Sequence, residues 1–95
     1  YLVTKDEISD VQKLNLSLDL NGKRMQTGNT SKMIFSINFI LSYLSNFMSL
    51  QPGDIVTTGT PPGVGMGKKP QVFLKSGDEM NLSIDHLGKQ HQKVK

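Results

Sequence analysis

Alternation of apolar and polar residues near the start of the chain predicts a β-strand. Within residues 14–20 every second residue is leucine, which places four leucines on one face of a half-buried strand. Asn21-Gly22 follows directly, and this pair favours a two-residue hairpin because both central positions of a type I′ turn need positive φ. Lys23–Gln26 then begins the returning strand. The pattern therefore predicts a β-hairpin.

Apolar residues at helical spacing predict one amphipathic helix, from about Ser31 to about Ser49, ahead of Pro52. A polar segment that starts at Asn29 can cap its first turn. The opposite face carries only uncharged side chains, whereas a helix that faces solvent usually carries lysine and glutamate. The polar residues on that face are Asn38, Ser42, Ser45 and Ser49. This composition indicates that other protein covers part of the helix.

Four short strands are expected after the helix. Residues 54–58 form the first, and the glycine- and proline-rich loop 59–67 follows it. Residues 72–74 and 79–84 form a second hairpin, after which the chain turns back toward Val94. With one helix among six strands, the predicted fold class is α+β with strands dominant.

Composition and charge narrow the classes of function. The chain has no cysteine, which excludes disulfides, thiolate zinc sites and cysteine nucleophiles. The net charge of +3 comes entirely from residues 66–95, and one arginine with no tryptophan disfavours a nucleic-acid binder. Polar residues interrupt the uncharged stretch between Lys32 and Asp54, so no membrane span is expected. Without a cleavable signal pattern, the cytoplasm is the expected location.

The loop after Val56 is the main candidate for chemistry. From Thr58 to Gly65 it reads Thr-Gly-Thr-Pro-Pro-Gly-Val-Gly. Glycines let the backbone approach a ligand closely, and N–H groups with threonine hydroxyls can hold a carboxylate or a phosphate. The loop matches neither the P-loop nor the dinucleotide-binding glycine pattern. The alternative interpretation is a rigid connector between two strands.

Other candidate groups are weaker. Asp6, Glu7 and Asp10 could bind a hard cation, but such acidic clusters more often begin a helical turn. His86 and His91 have no third ligand of suitable type nearby, so exposed turn histidines are the simpler interpretation. The serines have no local base, so a serine hydrolase has no support.

Several motifs, in order along the chain, resemble those of the fumarylacetoacetate hydrolase family. Residues 50–65, LQPGDIVTTGTPPGVG, are similar to the family pattern L-x-P-G-D-hydrophobic-hydrophobic-x-T-G-T-P-x-G-V-G. Upstream elements resemble T-x-D-E-I, N-G-x-x-x-Q and N-T-x-x-M-I-F, beginning at Thr4, Asn21 and Asn29. Downstream elements resemble F-L-K-x-G-D and I-x-x-L-G, beginning at Phe73 and Ile84. The resemblance extends over essentially all 95 residues.

The resemblance implies an enzyme that acts on small oxo-acid or dicarbonyl substrates with Mg²⁺ or Mn²⁺ as a Lewis acid. Members hydrolyse C–C bonds, decarboxylate, isomerise or hydrate such substrates. The implied fold is part of a β-rich mixed roll with one amphipathic helix, and a homodimer is expected. The resemblance also implies that Thr58, Gly59 and Thr60 bind the substrate carboxylate.

The family's metal-binding and acid–base residues have no counterpart in this sequence, because they lie upstream of the motifs seen here. Residues 1–95 are therefore expected to be an incomplete C-terminal portion of one catalytic domain, roughly its last two-fifths given the usual domain size. Their main partner would be the rest of that domain, and alone they are expected to be inactive. The competing hypothesis is a stand-alone, non-catalytic interaction module derived from the same fold.

Overall fold

The computed structural model describes residues 2–95, which contain one four-stranded antiparallel sheet and one α-helix. The strand order across the sheet is β2-β1-β3-β4. The strands are β1 (Asn15–Leu20), β2 (Lys23–Asn29), β3 (Glu79–Ile84) and β4 (Gly88–Lys93), and the helix is α1 (Ile37–Ser45). Short 3₁₀ turns span Lys5–Glu7, Thr30–Lys32 and Gly65–Gly67. The strand-dominated α+β class predicted from the sequence is confirmed.

The first hairpin forms where the sequence predicts it. Asn21 and Gly22 both have positive φ, 49° and 76°, as a type I′ turn requires. The paired strands β1 and β2 contain one irregularity, between Leu18 and Asp19. Because β3 pairs with the other edge of β1, the alternating leucines lie in a central strand of the sheet.

Strand β1 pairs with β3, and this pairing connects the N-terminal hairpin to the C-terminal hairpin in one sheet. It pairs with β3 so that Leu16 lies opposite Ile84 and Leu18 opposite Leu82, which places apolar side chains together on the sheet. The Asp85 carboxylate accepts hydrogen bonds from the backbone N–H and the side-chain amide of Asn15, at 2.9 and 2.8 Å. These bonds, the backbone one first, lower the pKa of Asp85 below its usual value.

The helix is shorter than the sequence predicts. The segment expected to start near Ser31 first forms the 3₁₀ turn and then turns extended at Met33, with φ −60° and ψ 138°. Ser36 is the actual N-cap, and its hydroxyl accepts a hydrogen bond from the N–H of Phe39 at 3.1 Å. The physical reason is a long-range tie, because the side-chain amide of Gln12 binds both the carbonyl of Thr30 and the N–H of Ile37.

Two of the expected strands are not strands in the described part of the chain. Residues 54–58 and 72–74 have no strand assignment, whereas 79–84 and the returning segment toward Val94 form β3 and β4. Residues 54–58 have no ladder partner here, and the N–H of Val72 binds the carbonyl of Gly65 in a loop. A strand needs a neighbouring strand for its backbone groups, which a local sequence pattern cannot supply.

Little apolar surface is buried among the described residues. Leu14, 7% exposed, is the one buried hydrophobic side chain there, while Ile34 and Ile55 are 93% and 89% exposed. An exposed aromatic row runs along the helix, with neighbouring ring centroids 5.0 to 6.2 Å apart. The row consists of Phe35, Phe39, Tyr43 and Phe47. Within residues 2–95 no helix has the length and apolar character needed to cross a bilayer.

Candidate functional site

The Thr-Gly-Thr loop, residues 58–60, follows a tight turn formed by residues 51–54. The Asp54 carboxylate accepts a hydrogen bond from the N–H of Gln51 at 2.8 Å, and the N–H of Asp54 returns to the carbonyl of Gln51 at 3.1 Å. Gly53 lies inside this turn with φ 97°, and Gly59 adopts φ 88° in the loop itself. Both values favour glycine, which explains the glycines of the Pro-Gly-Asp and Thr-Gly-Thr elements.

Gln26 fastens the loop to strand β2. Its side-chain amide donates one hydrogen bond to the hydroxyl of Thr60 at 2.9 Å and another to the carbonyl of Pro61 at 2.7 Å. A close approach adds to these bonds, since a Cβ placed on Gly28 would lie 2.7 Å from the Cβ of Pro61. The loop is thus held in one place by hydrogen bonds and by contact.

Two further glycines let the chain after the Thr-Gly-Thr loop pass close to neighbouring backbone. A Cβ on Gly63 would overlap the carbonyl oxygen of Met25, and one on Gly65 would overlap that of Val72. Gly63 further adopts φ 110°, a conformation that side chains disfavour. Gly63 is therefore required for packing against β2, and Gly65 for packing against the later loop segment at Val72.

The Thr-Gly-Thr loop forms one wall of a cavity of about 560 Å³. All three residues predicted as substrate-binding, Thr58, Gly59 and Thr60, line it. Most of the remaining lining comes from the end of β2, the 3₁₀ turn after it and the segment between that turn and α1, with one residue each from β1 and α1. We call this space the loop cavity. Its size is within the range of small-molecule sites, and its walls combine apolar side chains with a few hydroxyls.

Comparison with known proteins identifies the fold. The family model described as fumarylacetoacetate (FAA) hydrolase C-terminal matches residues 1–95. The chain belongs to the fumarylacetoacetate hydrolase family. It is 56% identical over 95 residues to 2,4-didehydro-3-deoxy-L-rhamnonate hydrolase from Sphingomonas sp. strain SKA58, covering 99% of this chain and 33% of that protein.

Solved structures of the family agree with the fold. The chain resembles fumarylacetoacetate hydrolase from Exiguobacterium antarcticum with a TM-score of 0.92 and 39% identity, over 98% of this chain and 33% of that one. It resembles maleylpyruvate hydrolase from Sphingobium sp. SYK-6, in complex with manganese(II) and pyruvate, with a TM-score of 0.86 and 33% identity, again over 98% and 33%. The chain thus spans about a third of the length of these relatives.

The donor set of this family member does not itself fit a metal ion. Across residues 2–95 no group of three or more histidine, aspartate or glutamate side chains is arranged to hold one. Asp6 lies in the first 3₁₀ turn, and hydrogen bonding from Thr4 lowers its pKa. His91 contacts the side-chain carbonyl of Asn81 at 2.7 Å. These side chains have local partners in the fold.

Sequence reasoning did not single out two residues that lie at the candidate site. Gln26 was noted only as part of the N-G-x-x-x-Q element, although it bonds the loop 34 and 35 positions away. Lys32 lines the loop cavity but lies in a motif whose pattern leaves its position open. The motifs indicated these segments, and only the three-dimensional contacts reveal what the two side chains lie against.

Proposed function

We propose that this chain is part of a divalent-metal-dependent enzyme acting on oxo-acid or dicarbonyl substrates, by C–C bond hydrolysis, decarboxylation, isomerisation or hydration. In this proposal Thr58, Gly59 and Thr60 bind the substrate carboxylate. The observation that carries it is the Thr-Gly-Thr loop, fixed by Gln26 along one wall of a cavity of suitable size. A relative with the same fold has been solved with manganese(II) and pyruvate, a 2-oxo acid.

The chemistry of the cavity walls supports binding more than proton transfer. The loop offers two threonine hydroxyls and backbone N–H groups, which orient an anion and stabilise its charge. Among the described residues that line the cavity there is no aspartate, glutamate or histidine to serve as a general acid or base near neutral pH. The loop therefore holds and orients the substrate, and other residues carry the proton transfers.

Mg²⁺ or Mn²⁺ is the proposed cofactor, and its ligands are expected upstream of this chain in the complete catalytic domain. When bound, such an ion would polarise the oxo group of the substrate as a Lewis acid. This chain's contribution is then to fix the carboxylate end of the same molecule. A cytoplasmic location and a homodimer remain predictions from the family resemblance.

We also propose that residues 1–95 are an incomplete C-terminal portion of a single catalytic domain. The chain spans about a third of its relatives, and its described residues leave the aromatic row exposed. Apolar surface of this extent is unfavourable in water and is normally covered by protein. In the proposal the remainder of the same domain covers it.

The intact mass of the native polypeptide tests the domain proposal. We expect a mass about three times 10.5 kDa under denaturing conditions, since the chain covers 33% of the rhamnonate hydrolase. Mass spectrometry of the protein purified from its source cells measures this directly. A native mass near 10.5 kDa would contradict the proposal and favour the non-catalytic interaction module.

The substitution Thr58→Val in the full-length protein tests the role of the loop. We expect kcat/KM for an oxo acid to fall about tenfold, because one hydrogen bond to a charged group is lost, while the affinity for Mn²⁺ stays unchanged. Maleylpyruvate and 2,4-didehydro-3-deoxy-L-rhamnonate are the first substrates to assay, and calorimetry with pyruvate reports binding separately.

The matched control is Thr57→Val, because Thr57 is the neighbouring threonine and is absent from the cavity lining. This variant should keep its kinetics within about twofold of the parent, since it removes no cavity hydroxyl. Equal kinetics for the parent and both variants would remove the role assigned to Thr58.

A further inference from the structure

Lys32 is the single charged side chain among the described residues that line the loop cavity. The other walls are apolar or carry neutral hydroxyl, amide and backbone groups. The Thr-Gly-Thr loop in particular has no formal charge, although its proposed ligand is a carboxylate. Lys32 brings to the cavity the positive charge that the loop itself does not carry.

The backbone that carries Lys32 is firmly held. Thr30 and Leu14 exchange two hydrogen bonds of 2.9 Å, one between their backbones and one from the N–H of Leu14 to the threonine hydroxyl. The side chain of Asn29 caps the turn by accepting from the N–H of Ser31 at 2.9 Å. Gln12 adds a bond of 2.6 Å to the carbonyl of Thr30. The base of the Lys32 side chain is therefore fixed at the wall.

The ammonium group of Lys32 has no carboxylate partner within residues 2–95. The ion pairs found there involve other cations, namely Lys13, Arg24 and Lys93. Next to Lys32 the cavity wall consists of Met33, Ile34 and Phe35, apolar side chains that offer no carboxylate to neutralise the ammonium charge. An unpaired cation in a largely apolar wall favours an anionic ligand.

We propose that Lys32 is a specificity-determining residue that selects anionic over neutral substrates. This inference rests on the proposed function, and it adds the source of the positive charge to the site. The ammonium group interacts with the negative charge of the bound acid, while the loop supplies directed hydrogen bonds. Because a point charge acts over a longer range than a hydroxyl, the effect depends on ligand charge more than on ligand shape.

Calorimetry on the Mn²⁺-loaded, full-length protein tests this selection with pyruvate and its neutral methyl ester. Lys32→Met should weaken the binding of pyruvate about tenfold, as expected for a lost interaction with a charged group. The same variant should bind methyl pyruvate within about twofold of the parent, because that ligand carries no charge. Lys32→Arg should retain most of the affinity for pyruvate.

Lys89→Met is the matched control, since Lys89 is exposed on β4, at the sheet edge opposite β2. Unchanged pyruvate binding in Lys32→Met would overturn the inference, and Lys32 would be a solvated surface charge. Equal weakening of both ligands would also overturn it, because the loss would then be steric. If Thr58→Val as well as Lys32→Met leaves pyruvate binding intact, or if the parent binds no pyruvate, the proposed function fails too.

Discussion

Replacing Gly63 with alanine in the full-length protein is expected to lower the free energy of unfolding by about 3 kcal/mol, through strain and overpacking together. The new Cβ would overlap the carbonyl oxygen of Met25, which belongs to strand β2 and cannot move without disturbing the sheet. Gly63 also has φ 110°, where any side chain is strained. Chemical denaturation monitored by circular dichroism measures the change.

Gly67→Ala is the control for this substitution. It lies in the same loop, but its φ is not positive, and its Cβ would meet only the side chain of Val64, at 3.6 Å. We expect its stability to stay within about 0.5 kcal/mol of the parent. A Gly63→Ala protein as stable as Gly67→Ala would show that the loop does not pack against Met25 as described.

Sequence rules predicted the first hairpin correctly because it depends on local interactions, but they did not predict the start of the helix. The hairpin follows from alternating leucines and from Asn21-Gly22, whose positive φ values are a property of the turn itself. The start of the helix did not follow, because Gln12 binds the carbonyl of Thr30 and the N–H of Ile37 from a distant part of the sequence. A cap at Asn29 was expected for an α-helix, and Asn29 instead caps a 3₁₀ turn.

The candidate site shows the same division. Thr58, Gly59 and Thr60 were selected from a motif, and the structure places all three at one cavity wall. Gln26 and Lys32 were not selected, because their relation to that wall depends on how β2 lies beside the loop. Side chains that act through such pairing leave no periodic or spacing signal in one sequence.

Gly28→Ala is expected to displace the Thr-Gly-Thr loop while changing the stability of the fold only slightly. The added Cβ would lie 2.7 Å from the Cβ of Pro61 and 2.9 Å from a terminal methyl of Leu16. The leucine can change its rotamer, but the proline ring is part of the loop backbone, so the Thr-Gly-Thr loop must shift. We expect kcat/KM to fall about 100-fold, the scale of a displacement near 1 Å in a site.

The substitution should affect kinetics more than stability because the strain is relieved in the loop and not in the sheet. Strand β2 is paired with β1 along its length, whereas residues 58–60 have no strand partner in the described chain, so the loop yields first. The free energy of unfolding should therefore fall by only about 1–2 kcal/mol relative to the parent. Pyruvate affinity should fall in parallel with kcat/KM. Gly67→Ala again serves as the control, and it should retain full activity. A Gly28→Ala enzyme with normal kinetics would separate the loop cavity from catalysis, because the wall would have moved without effect on the substrate.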